Sequence, residues 1–298
     1  MKPKELIIML ILSALWGASF LFIKISAPEF GAVLTANIRV FIAFLTLGLI
    51  CLINKTSLDF FKYWKRYMLI GALNAAIPFV LISTAEIHIA ASLAAILNAT
   101  TPAFTAIVAL IWNKENVGLS KAMGLSFGLI GVIVLVGLNG INNSAIYIYA
   151  PLSLLAALSY GLAGVYSSKA FKSLNPLNLA FGQQLSASIL LLPISFFSLP
   201  KKTPSSIAIV SLVLLAVFCT AIAYIFYFYL VKHIGAVKTS TVTFLVPVFG
   251  TLWSFLFLSE AITLQNIIGL SIIISSILLI NKKAYGPKIL EKNTRKIV

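Results

Sequence analysis

Acidic residues are scarce in this 298-residue chain: seven Asp and Glu in all, with Asp59 the one aspartate. A hydrolase triad or an acidic metal cage has almost nothing to be built from. Histidine and cysteine are as sparse, two of each. Cys51 and Cys219 both lie in apolar runs, without the spacing of a zinc site or a disulfide framework. No metal, cofactor or disulfide-stapled fold is therefore expected. Charged residues of both signs make up 10% of the chain, against about 25% in soluble domains. That is too few to cover a water-facing surface. What fills the chain instead is apolar: 60% hydrophobic residues and a mean hydropathy of +1.06. Lipid is the solvent this sequence fits.

The formal charge of +15 does not point to nucleic acid, because the bases sit in short loops and the tail between long apolar runs. That is the pattern of orientation signals. The first run, Leu6 to Ser26, exceeds a signal-peptide core, and Lys24 stands where a small-residue cleavage site belongs. It reads as an uncleaved first span. At about 20 apolar residues per crossing, spans fall near 6–26, 31–53, 67–87, 89–112 and 119–138, then 147–168, 177–199, 206–231, 235–258 and 264–281. With the N-terminus inside, 18 of the 22 Lys and Arg collect on the inner side. Lys24, Lys201 and Lys202 lie outside, and Arg39 falls within a span. Both termini are expected in the cytoplasm.

Shifted by 145 residues, His88 to Ser126 overlies His233 to Ser271 with ten identities in 39 positions. Shared Leu or Ile would mean little here. The shared His88/His233, Pro102/Pro247 and Glu115/Glu260 mean more in a chain with so few His and acids. Trp16-Gly17 lies opposite Tyr160-Gly161 at a shift of 144. Each half holds five spans, an odd number, so the halves must be inverted relative to each other, as in many secondary transporters. The expected fold is all-α integral membrane, ten transmembrane helices as two inverted five-helix repeats.

The same residues carry a family resemblance. Trp16-Gly17-Ala18-Ser19-Phe20, Arg39, Ala91 to Pro102, Glu115 and Gly124 in the first half resemble the repeat of the EamA family of drug/metabolite transporters. So do Ala221-Ile222-Ala223-Tyr224, His233-Ile234-Gly235-Ala236, Pro247, Glu260 and Gly269 in the second. The resemblance spans nearly the whole chain. It implies a first repeat over 1–141, a second over 142–285 and a basic cytoplasmic tail over 286–298. It further implies a bacterial inner-membrane location, a cavity between helices 1, 3, 4, 6, 8 and 9, and transport of small metabolites, amino-acid-like compounds among them.

Several residues could carry function. Arg39 is the clearest intramembrane charge; at about 2.5–3.5 kcal/mol on insertion scales it must face the bundle or a wet cavity. There it would attract an anionic group, or pair with helix carbonyls or Glu86. Glu86 and His88 end the third span near Lys24 and Glu29, and read as an outer gate or as a surface cluster. Pro102 and Pro247 fall inside the fourth and ninth spans beside Asn98, Thr100, Thr101, Thr241 and Thr243, a setting for loosened helices that line a cavity. Tyr224, Tyr227 and Phe228 share one helical face. Trp16, Asn74, Tyr160, Gln183 and Gln184 are polar or amphipathic groups in apolar spans. The expected substrate-binding set is Trp16, Arg39, Asn74, Asn98, Thr101, Tyr160, Gln183, Tyr224, Tyr227 and Thr243, with Glu86, His88, Pro102 and Pro247 as gating residues. Glu115 and Glu260 read as partners of the following helix N-termini.

No acid falls near the middle of a span, which favours neutral, zwitterionic or anionic cargo over cationic drugs. The expected activity is alternating-access transport, with export the expected direction. Multidrug efflux or a passive channel is the alternative. The chain is not read as an enzyme: Gly124-Leu125-Ser126-Phe127-Gly128 matches G-x-S-x-G but lies in an apolar helix, where it reads as a close packing face. A non-transporting membrane scaffold lacks any attached binding domain to support it. The partners expected are a small-molecule substrate and the lipid bilayer; the sequence leaves the oligomeric state open.

Overall fold

The computed structural model describes residues 2–56, 60–114, 118–136, 145–171, 174–200, 202–258 and 263–281. Asp59, Glu115, Glu260, Lys172, Lys201, the junction between the two halves and the basic tail lie outside these residues. Among the described residues there is no strand. The helices are α1 (Pro3–Phe30), α2 (Ala32–Ile53), α3 (Phe60–Gly71), α4 (Ile77–His88), α5 (Ala91–Asn98), α6 (Thr101–Asn113) and α7 (Leu119–Val136). The second half holds α8 (Ile146–Ala170), α9 (Pro176–Ser195), α10 (Ser206–Ala216), α11 (Ala223–Ile234), α12 (Ala236–Ser240), α13 (Val242–Leu258) and α14 (Leu264–Asn281).

Among the described residues, seven helical stretches are long and apolar enough to cross a membrane: Pro3–Phe30, Ala32–Ile53, Phe60–His88, Leu93–Trp112, Ile146–Ala170, Pro176–Ser198 and Ser206–Ile234. Two shorter apolar helices, Leu119–Leu135 and Leu264–Ile280, pack against each other. Large apolar side chains such as Leu49, Leu52, Ile107, Ile111 and Leu278 point outward and exposed, a surface that only lipid would cover. The chain is an all-helical, multi-pass membrane protein.

The helices break at related places. A π-helical turn joins α3 to α4 at Ala72–Ala76, and another joins α10 to α11 at Val217–Ile222. Their starts are 145 residues apart. Such turns widen a helix by one residue and concentrate at functional sites. The helical stretches 91–113 and 236–258 are also interrupted, between Asn98 and Thr101 and at Thr241. Pro102 stands in the first turn of α6, where a missing N–H costs nothing. Pro247 is inside α13, six residues past its break. The two prolines thus mark broken spans, although the breaks themselves do not superpose.

Glycine contacts are reciprocal between the halves. A Cβ on Gly17 of α1 would stand 2.8 Å from Phe249 Cβ in α13; one on Gly161 of α8 would stand 3.2 Å from Phe104 Cβ in α6. Phe104 and Phe249 are 145 apart. Likewise Gly124 presses on Ile280 and Gly269 on Leu135, again 145 apart in both pairs. Each half therefore grips the other through the same contacts. Gly128 is filled by the Phe244 ring, and Ser126 is exposed and bonded to the Ala122 carbonyl. The G-x-S-x-G match is thus a packing face, and its serine has no catalytic partner among the described residues.

Candidate functional site

Helix-terminal contacts define two ends of the bundle. Lys4 lies over the Tyr229 ring, Arg66 donates to the Ala170 carbonyl and Lys232 to the Leu174 carbonyl. The bases of α1, α3 and α11 thereby gather at one end. At the other, Lys24 Nζ donates to the carbonyls of Glu86 (2.7 Å) and Ile89 (3.2 Å). Glu29 accepts from both the backbone N–H and the hydroxyl of Ser205. Glu29 therefore secures the start of α10 and does not join a cluster with Glu86.

A vestibule of about 680 Å3 opens at the basic end, lined by Lys121, Lys169, Lys232 and Lys238 with apolar residues of α8, α9 and α11. Deeper lies a tight chamber of about 60 Å3. Ala236 lines both, and the neighbours Gly164/Val165 and Tyr227/Phe228 face the chamber with one residue and the vestibule with the other. The partition is narrow: a Cβ on Gly164 would stand 3.2 Å from the Tyr227 hydroxyl.

The chamber collects nine of the ten expected binding residues. α1 gives Trp16, α2 Arg39, the π-turn before α4 Asn74, α5 Asn98 and α6 Thr101; α8 gives Tyr160, α11 Tyr224 and Tyr227, and α13 Thr243. The helix set implied by the resemblance omits α2, yet among the described residues α2 brings the only charge to line the chamber. Gln183 sits behind this wall, where its Oε1 accepts from Asn74 Nδ2 at 2.7 Å. It is a support for Asn74 and does not line the chamber.

Arg39 is buried. Its Nε donates to Thr220 Oγ1 at 2.6 Å, and its guanidinium lies 3.7 Å from the centre of the Phe79 ring. In place of the helix carbonyls or Glu86 offered as alternative partners, Arg39 has a hydroxyl from the second π-turn and an aromatic face. Both π-turns serve the chamber: Thr220 holds Arg39, while the Asn74 carbonyl accepts from the Tyr224 hydroxyl at 2.7 Å. Trp16, Tyr224 and Tyr227 pack as one cluster, with centroids 5.6 to 6.0 Å apart. The Asn98 Oδ1 is buried with no hydrogen-bond partner among the described residues.

The lining is arranged in repeat-related pairs. Phe79 and Tyr224, Ile82 and Tyr227, and Asn98 and Thr243 are each 145 apart, and Trp16 and Tyr160 are 144 apart. Sequence reasoning missed Phe79, Ile82 and Thr220. The first two could have been found by carrying Tyr224 and Tyr227 back through the repeat.

The gating residues divide. His88 is exposed and stacked on Tyr149 at 3.9 Å, and His233 is exposed and stacked on Tyr229 at 4.0 Å. Neither histidine reaches the chamber. Glu86 is fully buried, with no partner for either carboxylate oxygen among the described residues. The surface-cluster reading of Glu86 is therefore corrected. The residue is near a helix end in sequence but is covered by α1, α2 and α8.

An apolar bundle enclosing a chamber of polar and aromatic side chains with a buried cation suits a membrane transporter of polar solutes. Comparison with known proteins agrees. The sequence model of the EamA-like transporter family matches twice, over residues 3–137 and 147–282. The chain belongs to the EamA-like transporter family. Its relatives include the uncharacterized transporter YvbV of Bacillus subtilis (strain 168), 27% identical over 96% of this chain and 94% of that one. The uncharacterized transporter YoaV of the same organism is 26% identical over 86% and 89%. The uncharacterized inner membrane transporter YedA of Escherichia coli (strain K12) is 24% identical over 91% and 88%. A solved structure titled "Crystal structure of protein" superposes with a TM-score of 0.75 over 94% of this chain and 97% of the other, at 14% identity. It attests the fold alone.

Proposed function

We propose that this protein is a ten-span secondary carrier in which two inverted five-span halves move small neutral, zwitterionic or anionic metabolites across the cytoplasmic membrane by alternating access. Amino-acid-like compounds are the first class to test. The carrying observation is the chamber built from repeat-related pairs at the junction of the halves and joined to a vestibule at the basic end. Two inverted halves that exchange conformations generate two opposite-facing states of similar energy. With both termini cytoplasmic, as the basic residues imply, the state described here faces inward. Ligand pockets usually measure about 300–1,000 Å3, so the chamber must widen to admit a metabolite.

Charge along the path favours the carboxylate-bearing end of the substrate range. Four lysines line the vestibule and Arg39 the chamber, a sequence of cations that repels lipophilic cationic drugs. Direction follows the gradients of substrate and of any coupled ion. Export is the direction to test first, by comparing metabolite tolerance in deletion and overexpression strains. The decisive measurement is counterflow into liposomes holding the purified protein. Saturable exchange with one or more of a panel of amino acids and organic acids is expected. Flux without saturation or exchange would favour a channel, and no flux at all would refute the carrier reading.

A further inference from the structure

Glu86 is a buried acid that the chamber does not use, and unlike Glu5, whose carboxylate accepts from the Lys2 backbone N–H, it has no carboxylate partner among the described residues. It lies on the face of α4 that carries Phe79 and Ile82 to the chamber, one turn beyond Ile82. An unpaired carboxylate in such a place is so costly that the group takes a proton instead. The groups facing it are few. Lys24 on α1 binds the Glu86 carbonyl and not its carboxylate. Arg39 on α2 is held by Thr220 and Phe79. Tyr160 on α8 is within electrostatic reach. The π-turn before α4 and the helix α5 carry nothing that titrates, and His88 on the same helix is stacked on Tyr149.

The repeat says where Glu86 goes when the halves exchange roles. Its counterpart at a shift of 145 is Val231, which lines the open vestibule. Ser168, the counterpart of Lys24 at a shift of 144, lines it too, as does Lys238, the counterpart of Leu93. Exchange of the two conformations would therefore place Glu86 and Lys24 together on the wall of the opposite mouth, in water. We propose that Glu86 is a proton-binding site that ties closure of this opposite mouth to protonation. In the opposite-facing state it is a carboxylate beside Lys24; as the mouth closes it takes one proton from water and is buried neutral, as in the state described here. Acid at that face then favours the closed mouth, because the proton binds the closed state better and shifts the population toward it. The proposal rests on the inverted-repeat carrier reading and does not depend on which substrate is carried.

Its test needs no substrate. A Leu93→Cys reporter in full-length protein in liposomes is labelled with a membrane-impermeant maleimide applied at the Glu86 face over a range of pH. An exposed Ile148→Cys reporter corrects for ionisation of the thiol itself. With Glu86 present, corrected labelling should fall as the medium at that face is acidified. In Glu86→Gln it should stay low and independent of pH. Glu86→Asp, which keeps a titrating group, should retain the dependence with a displaced midpoint, and provides the reading if the glutamine variant does not fold. Equal pH profiles with and without the acid, or a Leu93→Cys reporter that is never labelled, would overturn the assignment. Absent counterflow together with a pH-dependent mouth would instead refute transport and leave Glu86 its proton.

Discussion

Replacing Arg39 separates a binding role from a packing role. The side chain makes one charged hydrogen bond, to Thr220 at 2.6 Å, and one cation–π contact, to Phe79 at 3.7 Å. Together they are worth about 2–5 kcal/mol when desolvated. Thr220 Oγ1 also donates to the Leu215 carbonyl at 2.9 Å, so losing Arg39 leaves that hydroxyl partnered. Arg39→Gln keeps a hydrogen-bonding head and removes the charge. If Arg39 anchors a substrate carboxylate, losing that buried charge pair costs about 2–5 kcal/mol of binding. Since 1.4 kcal/mol is a factor of ten, half-saturation for carboxylate-bearing substrates should rise by roughly 30-fold or more. Neutral analogues of the same shape should be affected far less. The assay is counterflow in liposomes with each member of such a pair, on variant protein that elutes as a single folded species. Equal losses for both analogues would make Arg39 a packing residue, and unchanged kinetics would remove it from the site.

Other substitutions read the remaining parts. Gly269→Ala places a Cβ 2.4 Å from the Leu135 backbone and should destabilise the α7–α14 contact by about 1–3 kcal/mol. Gly250→Ala, with its nearest neighbour 4.0 Å away, should leave the melting temperature in detergent unchanged. Gly164→Val at the partition by Tyr227 should slow exchange strongly at little cost in melting temperature, and unaltered flux would place the path elsewhere. Tyr224→Phe removes the 2.7 Å bond to the Asn74 carbonyl and should cost about 0.5–1.5 kcal/mol in thermal denaturation.

The parts of this protein legible in its sequence are those where lipid imposes a rule. Long apolar runs must be helices, and a shared Pro, His and Glu at a fixed shift must mean duplication when such residues are so rare. The chamber was largely legible for the same reason: a polar or amphipathic residue inside a span is costly unless it faces other protein or water. That criterion brought Asn74, Asn98 and Tyr160 to one place. It failed for Gln183, because satisfying an amide against another amide is as good a solution as lining a cavity. It also failed for Glu86, because depth along a helix does not report burial. Glu86 is two residues from the end of Phe60–His88 and still fully covered, with Lys24 of α1 on its carbonyl and Tyr149 of α8 stacked on the nearby His88. The partner of Arg39 was out of reach as well, since a π-turn re-aims Thr220 and hydropathy carries no sign of such a turn.

Symmetry and its violations do different work here. Where the halves match, in Gly17 and Gly161 against Phe249 and Phe104, or Gly124 and Gly269 against Ile280 and Leu135, equivalent contacts would, in the carrier proposed above, give two exchanged packings of nearly equal energy. A carrier needs that balance. Where related positions differ, the two states differ in what they offer. Ile82 faces the chamber where its counterpart is Tyr227, Phe79 where its counterpart is Tyr224, and Glu86 stands where the other half has Val231. The hydroxyls and the acid are therefore placed asymmetrically about an otherwise matched frame. An effector can shift a two-state equilibrium only by its differential affinity for the two states, and matched residues supply none. On the carrier reading, selectivity and drive would come from the mismatched pairs, and substitutions that restore symmetry there, Tyr227→Ile or Glu86→Val, should abolish them before they unfold the bundle.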